Sequence, residues 1–285
     1  MSEEKWDLII KPKSGWVDLR FKELWKYRDL LFLFVKRDFV AVYKQTILGP
    51  LWFIIQPILT TIMLTVIFGV FGGLSTDGLE EAKPLFYLAG LTLWNYFAEC
   101  LTKTSETFVK NQSIFGKVFF PRLIVPLSIV VSTMLKFGIQ FVLFIAVWCY
   151  YYFIAEVSII HPSLTILLVP FMVIMMAGLS LGFGIIFSSI TTKYKDMNFL
   201  LIFGVQLLMY ASAVVIPLSA IPPLYQWIFR LNPMVNLIEA FKFSFLGVGD
   251  FSWFWLAYSF LFMCVLLFFG TIIFNKVEKS FMDTV

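Results

Sequence analysis

Histidine occurs once in this chain, at His161, and cysteine three times, at Cys100, Cys149 and Cys264. A lone imidazole does not make a histidine-based metal site. Three scattered thiols beside apolar stretches read as small packing side chains rather than bridges. Charge is scarce too: 14% of residues are Asp, Glu, Lys or Arg, against about 25% in soluble domains. No G-x-x-x-x-G-K-[ST] loop occurs, so the chain is not expected to hydrolyse ATP by that route. Paired loop carboxylates of the kind a membrane glycosyltransferase needs are missing. Deep ionisable residues amount to little more than Lys136 and Glu99, whereas a proton-coupled carrier places several acids or histidines near mid-membrane. No matched pair of interrupted repeats marks a secondary carrier. The first fifty residues lack a short apolar core before a small-residue cleavage site, so no cleaved leader is expected. If this chain moves something, a partner supplies the energy.

Apolar residues are abundant, at 60% of the chain with a mean hydropathy of +0.88. Six apolar segments, 51–72, 84–101, 124–155, 164–190, 198–220 and 251–275, approach or exceed the ~20 residues that cross a bilayer core. The expected fold is an all-α integral membrane protein with six transmembrane helices. The third segment would measure about 48 Å as one helix, so its beginning, "LIVPLSIVV", is expected at an interface or on a tilted path. Eighteen of the 22 Lys and Arg residues fall in 1–50, 102–123 and just after the fourth and sixth segments. By the positive-inside rule both termini are cytoplasmic. The net charge of +4 is thereby a topology signal and implies no nucleic-acid partner.

Residues 1–50 form the cytoplasmic N-terminus, 51–275 the membrane domain and 276–285 a cytoplasmic tail. Within 18–45, Phe21, Leu24, Trp25, Leu31, Phe32, Val35, Phe39 and Val42 form one apolar stripe at helical spacing. Lys22, Glu23, Lys26, Asp29 and Arg37 lie opposite, with Asp18 placed to cap the start. Leu30, Leu33 and Phe34 interrupt the polar face. Such a helix lies along a membrane surface. Gly49–Pro50 then turns the chain into the bilayer.

The inner loop 102–123 ends in "KVFFPRLIVPLS" from Lys117. Pro121 and Pro126 disfavour one continuous helix, which predicts a helical stub, a break and a new helix. Phe119 and Phe120 are placed to enter a partner's groove, with Lys117 and Arg122 solvated; a plain interfacial elbow is the other reading. The outer stretch 221–250 carries Pro222, Pro223, Pro233, Asn232 and the charges Arg230, Glu239 and Lys242. Two short helices broken at "LNP", covering a pathway or lying on the surface, fit it.

Aromatic residues reach 19%, with 34 Phe. Most belong to packing or interfacial belts. Trp52, Phe53, Tyr87, Trp94, Tyr96, Phe97 and Tyr210 are the candidates for a pathway lining, since aromatic faces stack on sugar rings. Gly178 and Gly182 have the spacing that permits close helix contact.

With these parts in order, the chain resembles the permease subunits of type-2 ABC transporters that export O-antigen, capsule or teichoic-acid polysaccharides. The resemblance runs from about residue 18 to the end. It rests on "ELWKYRDLLFLFVKRDFVAVYKQTILGPLWFIIQP", "NQSIFGKVFFPRLIVPLS", "LNPMVNLIEAF" and "VEKSFMDTV" in the family's order. It implies a homodimer of six-helix subunits in the cytoplasmic membrane, each bound to a separate ATPase that carries the ATP and Mg. It also implies an interface helix in 18–45 and a coupling helix in 103–122 that includes Lys117, Phe119, Phe120, Pro121 and Arg122. Outer gate helices in 221–246 would hold Pro222, Pro223, Asn232, Pro233 and Glu239. Glu278, Phe281 and Asp283 match a recurring tail. The cargo implied is a lipid-linked polysaccharide passing an aromatic tunnel between protomers; a drug or lipid is the alternative cargo.

Overall fold

A computed structural model describes residues 21–44, 47–118 and 120–282. All regular structure among them is helical. Two helices, α1 (Phe21–Lys26) and α2 (Arg28–Lys44), precede the first span. Gly49 adopts φ +49°, a left-handed value that glycine tolerates. With Pro50 second in the short 3-10 helix Gly49–Leu51, it turns the chain into α3 (Trp52–Leu64). The span continues as a π-helical end to Phe71.

At the centre stands α4 (Lys83–Ser105), with every side chain from Leu85 to Trp94 buried. At 23 residues it measures about 34 Å. It packs against α3, α7 (Ile124–Cys149), α8 (Val169–Lys193) and α11 (Pro233–Leu246). A helix wrapped by protein can carry Lys83, Glu99 and Lys103, which lipid would penalise. Four helical stretches are long and apolar enough to cross a membrane: Gly49–Phe71, Ile124–Ile154, Leu164–Lys193 and Trp253–Glu278. The third apolar segment is one helix with a π-helical end. Pro126 falls in its first turn, where the missing N–H would have had no intrahelical partner.

The expected fifth span, 198–220, is shorter than its hydropathy implied. Helix α9 (Met197–Tyr210) ends after 14 residues, about 21 Å, and 211–222 run as turns with one short 3-10 helix. Two side chains explain the stop. Asn232 donates Nδ2–H to the carbonyl of Ala211 at 3.0 Å, and Lys242 donates Nζ–H to that of Ala213 at 2.6 Å. Carbonyls freed where a helix ends need such partners away from water.

The outer stretch folds as α10 (Pro223–Arg230) and α11, broken at Asn232. Asn232 caps α11 by accepting from the Met234 N–H at 3.1 Å. Gly247 closes α11 at φ +73°, where a Cβ would lie 2.8 Å from the carbonyl oxygen of His161.

The last helix, α12 (Trp253–Met282), packs along α8 through glycines. A Cβ on Gly182 would stand 2.8 Å from Leu266 Cγ, and one on Gly178 would overlap Met263. Gly182→Leu is therefore expected to cost about 1–3 kcal/mol or more by overpacking. The check is a lower denaturation midpoint in detergent, with Gly204→Leu, where a Cβ meets open space, as the neutral control.

Candidate functional site

Beside the main core lies a second, smaller cluster of Phe34, Phe108, Phe115, Phe120, Ile124, Val125, Ile129, Ile185 and Phe274. These residues come from α2, the loop after α4, and the adjoining ends of α7, α8 and α12. The loop begins with two one-turn helices, α5 (Thr107–Lys110) and α6 (Gln112–Phe115). Side chains hold these turns: Thr107 donates to the carbonyl of Thr104 at 2.7 Å, and Asn111 to that of Thr107 at 2.9 Å. Thr191 of α8 donates to the Ser105 carbonyl at 2.7 Å, and Asn198 of α9 to Glu106 at 3.1 Å.

Rings knit the cluster. Phe108 stacks on Phe274 at 4.7 Å, Phe115 meets Phe120 at 5.7 Å, and Phe120 meets Phe34 at 5.9 Å. Arg122 was expected in solvent but is only 4% exposed. Its guanidinium lies 5.1 Å from the Phe115 ring centroid and donates Nη1–H to the Glu278 carbonyl at 3.1 Å. Its Nε stands 4.0 Å from the Glu278 carboxylate. Burial lowers the pKa of Arg122, and the Glu278 charge opposes that shift. The recurring tail residue Glu278 thus has a physical role: it ties α12 to the loop.

Phe120 is buried in its own chain, so its ring does not face a partner. The outward surface of the loop is instead Val109, Lys110, Gln112, Ser113, Gly116, Lys117 and Val118. Pro121 is half-buried beside the cluster. Phe119 and Asp283, and the side chains of Phe21, Val42 and Phe281, lie outside the described residues.

Helix α2 meets this cluster with Phe34, supported by Leu24, Tyr27, Leu30 and Leu31, and Val35 is buried as well. The expected stripe is rotated: Trp25 and Phe32 are 70% and 62% exposed. Apolar periodicity does not say whether a face meets protein or lipid, and this helix is apolar toward more than one side.

Lys136 and Glu99, singled out as isolated deep charges, form an ion pair between α7 and α4. Lys103 joins at 2.7 Å from Glu99, and Phe53 lies under Lys136 at 4.6 Å. Of the candidate lining aromatics, Phe53, Tyr87, Trp94, Tyr96 and Phe97 are buried within the chain. Trp52 and Tyr210 keep exposed faces. Rings such as Tyr87 and Phe97, with no exposed area, offer no stacking face in this conformation.

At the opposite end, a cavity of about 390 Å³ opens between α10, α11 and the turn at Asp77. Glu239 accepts from the backbone N–H of Leu218 at 3.4 Å and of Asp250 at 3.2 Å. Arg230 pairs with Asp250, and its guanidinium lies 5.4 Å from the Trp255 ring centroid. Lys242, fully buried, sits 3.5 Å over the Phe86 ring. Pro222 and Pro223 start α10, where a proline costs no helical hydrogen bond. Asp77 and Asp250 escaped the sequence reading; isolated acids beside Gly78 and Gly249 were the available signal.

These features define a multi-span membrane protein with a packed, ion-paired hub at one end of its helices and a polar cavity at the other. The chain belongs to the ABC-2 type transporter family, whose pattern matches residues 29–246. It is 28% identical over 257 residues to the O-antigen export system permease protein RfbA of Klebsiella pneumoniae, covering 90% of this chain and 94% of that one. Identity is 25% with RfbA of Myxococcus xanthus, over 78% of this chain and 82% of that one. It is 24% with the polysialic acid transport protein KpsM of Escherichia coli, over 90% and 95%.

Proposed function

We propose that this chain is the membrane-spanning subunit of an ATP-driven exporter that carries a lipid-linked polysaccharide across the cytoplasmic membrane. The observation that carries this reading is the likeness to an O-antigen export permease along nearly the whole of both chains. Two such subunits pair, each with a separate ATPase that binds ATP and Mg, and the substrate passes between them. The distribution of Lys and Arg supports a cytoplasmic position for both termini. Helices α4 and α9, the latter with 211–222, complete six spans beside the four long apolar ones.

The hub at Phe34, Phe108, Phe115 and Arg122 is the element the ATPase moves. Closure of an ATPase dimer favours one permease conformation only if it contacts the two conformations differently, and a packed hub passes a push to α2, α7 and α12 together. The contact surface on this reading is 109–118, with Lys117 and Val118 exposed at its tip. Phe120 and Arg122 hold its shape from within, while α10 and α11 gate the outer side.

The test is co-purification with the ATPase and its hydrolysis rate with and without glycolipid. Val118→Asp/Lys117→Glu is expected to weaken association by about 30-fold or more, as loss of an interface hot spot does, with the permease still folded. A wild-type chain that binds no ATPase, or a complex stimulated by small amphiphiles and not by glycolipid, refutes the reading.

A further inference from the structure

We propose that the face of α4 where Lys103 and Lys136 share Glu99 is a binding site for a phosphate group carried on a lipid. The charge count stands apart from the export reading; naming the cargo as the source of that lipid rests on it.

Helix α4 is buried on most sides, but between Trp94 and Lys103 one stripe stays open: Asn95, Ala98, Glu99, Thr102 and Lys103. These positions follow the i, i+3, i+4, i+7, i+8 pattern of a single helix face. Lys136 reaches the stripe from α7, and the Phe53 ring of α3 lies under its ammonium. Both ammoniums meet the same oxygen, Glu99 Oε1, with Lys103 at 2.7 Å. The Glu99 and Lys103 side chains are 30% and 37% exposed, and that of Lys136 is 14% exposed. A ligand can therefore reach all three.

Two cations share one anion, so the cluster carries one positive charge in excess. Lys136 belongs to Ile124–Ile154, a stretch long and apolar enough to cross a membrane, where an uncompensated charge is costly. Each ammonium has three N–H groups and spends at most one on Glu99 Oε1. Glu99 offers one further oxygen, Oε2, against at least four unspent hydrogens. The amide of Asn95, one turn along the stripe, bonds no described residue. Donors are thus in surplus on this face, and the missing partner is an anion with several acceptor oxygens. Phosphate is such an anion, and lysine binds it as a point charge. The flank defines the rest of the ligand. Helix α3, which supplies Phe53, leaves Trp52, Ile58 and Leu59 exposed, an apolar surface suited to a hydrocarbon chain.

The full chain in dodecyl maltoside is titrated with tritiated dodecyl phosphate and read by scintillation proximity. Saturable binding is expected, with inorganic phosphate at the same concentration failing to compete. Lys103→Gln leaves the Lys136–Glu99 pair in place but neutral, and should weaken binding about tenfold or more. Glu99→Gln removes the competing anion and should tighten binding. Absence of saturable binding by wild type, equal competition by inorganic phosphate, or unchanged binding by Lys103→Gln with a wild-type denaturation midpoint overturns the proposal. Competition by phosphatidylglycerol assigns the site to a membrane lipid. Competition by the lipid-linked glycan but not by phosphatidylglycerol assigns it to the cargo, and either result upholds a lipid-phosphate site. Surface glycan is also scored in cells that make it but lack their own permease. Export by a wild-type chain that binds no dodecyl phosphate sinks the site alone, whereas failure of wild type to export sinks the wider reading.

Discussion

Arg122→Met is expected to lower the stability of the folded chain by about 3–5 kcal/mol, the cost of breaking a buried ion pair from one side. Glu278, only 7% exposed, would keep its charge and lose the guanidinium beside it. Arg122→Met/Glu278→Met should recover most of that loss, because replacing both partners of a buried pair with apolar groups is often neutral. Arg122→Lys should recover little, since an ammonium cannot at once bond the Glu278 carbonyl, face its carboxylate and keep the guanidinium's contact with the Phe115 ring. The measurement is the SDS-denaturation midpoint of each variant in detergent, alongside glycolipid-stimulated ATP hydrolysis of the complex. Additive effects of the two single substitutions would remove the ion pair from the account of the hub.

Lys242→Met is the second large effect, again about 3–5 kcal/mol. Methionine keeps much of the volume above the Phe86 ring, but the Ala213 carbonyl loses its donor and Glu239 loses its nearby cation. The expected structural signature is local. Protection of amides in 208–216 against hydrogen exchange should fall while α8 and α12 stay protected, because Lys242 fastens the turn where α9 ends. Glu239→Gln added to Lys242→Met should regain part of the stability, leaving the bare carbonyl as the remainder. An unchanged exchange pattern would mean that Lys242 does not hold that turn.

Much of the fold could be read from the chain because a lipid-facing helix has to be apolar along its length. The runs 51–72, 124–155, 164–190 and 251–275 accordingly lie close to Gly49–Phe71, Ile124–Ile154, Leu164–Lys193 and Trp253–Glu278. The end of α9 was not readable, since the side chains that stop it, Asn232 and Lys242, come from later in the chain. Arg122 shows the same limit. After a proline break a cation ordinarily reaches water, and no local pattern announces a carboxylate arriving from α12. With α4 the signal was present but taken differently. Residues 85–94 are apolar on nearly every side, the mark of a central helix, whereas the aromatic content suggested a wall. The rotated stripe of α2 has another origin: Phe34 and Phe32 are the same residue type, and only the assembled cluster decides which one turns inward.

The tie between Arg122 and Glu278 spans 156 positions of sequence. At ribosomal speeds of about 5–20 residues per second, the helix bearing Glu278 emerges roughly 8–30 s after the loop. Throughout that interval the loop is made but has no α12 to close on. The packing of the hub is therefore completed only once the final helix has been made, and a chain that stops short of α12 leaves Arg122 without the Glu278 carbonyl it bonds.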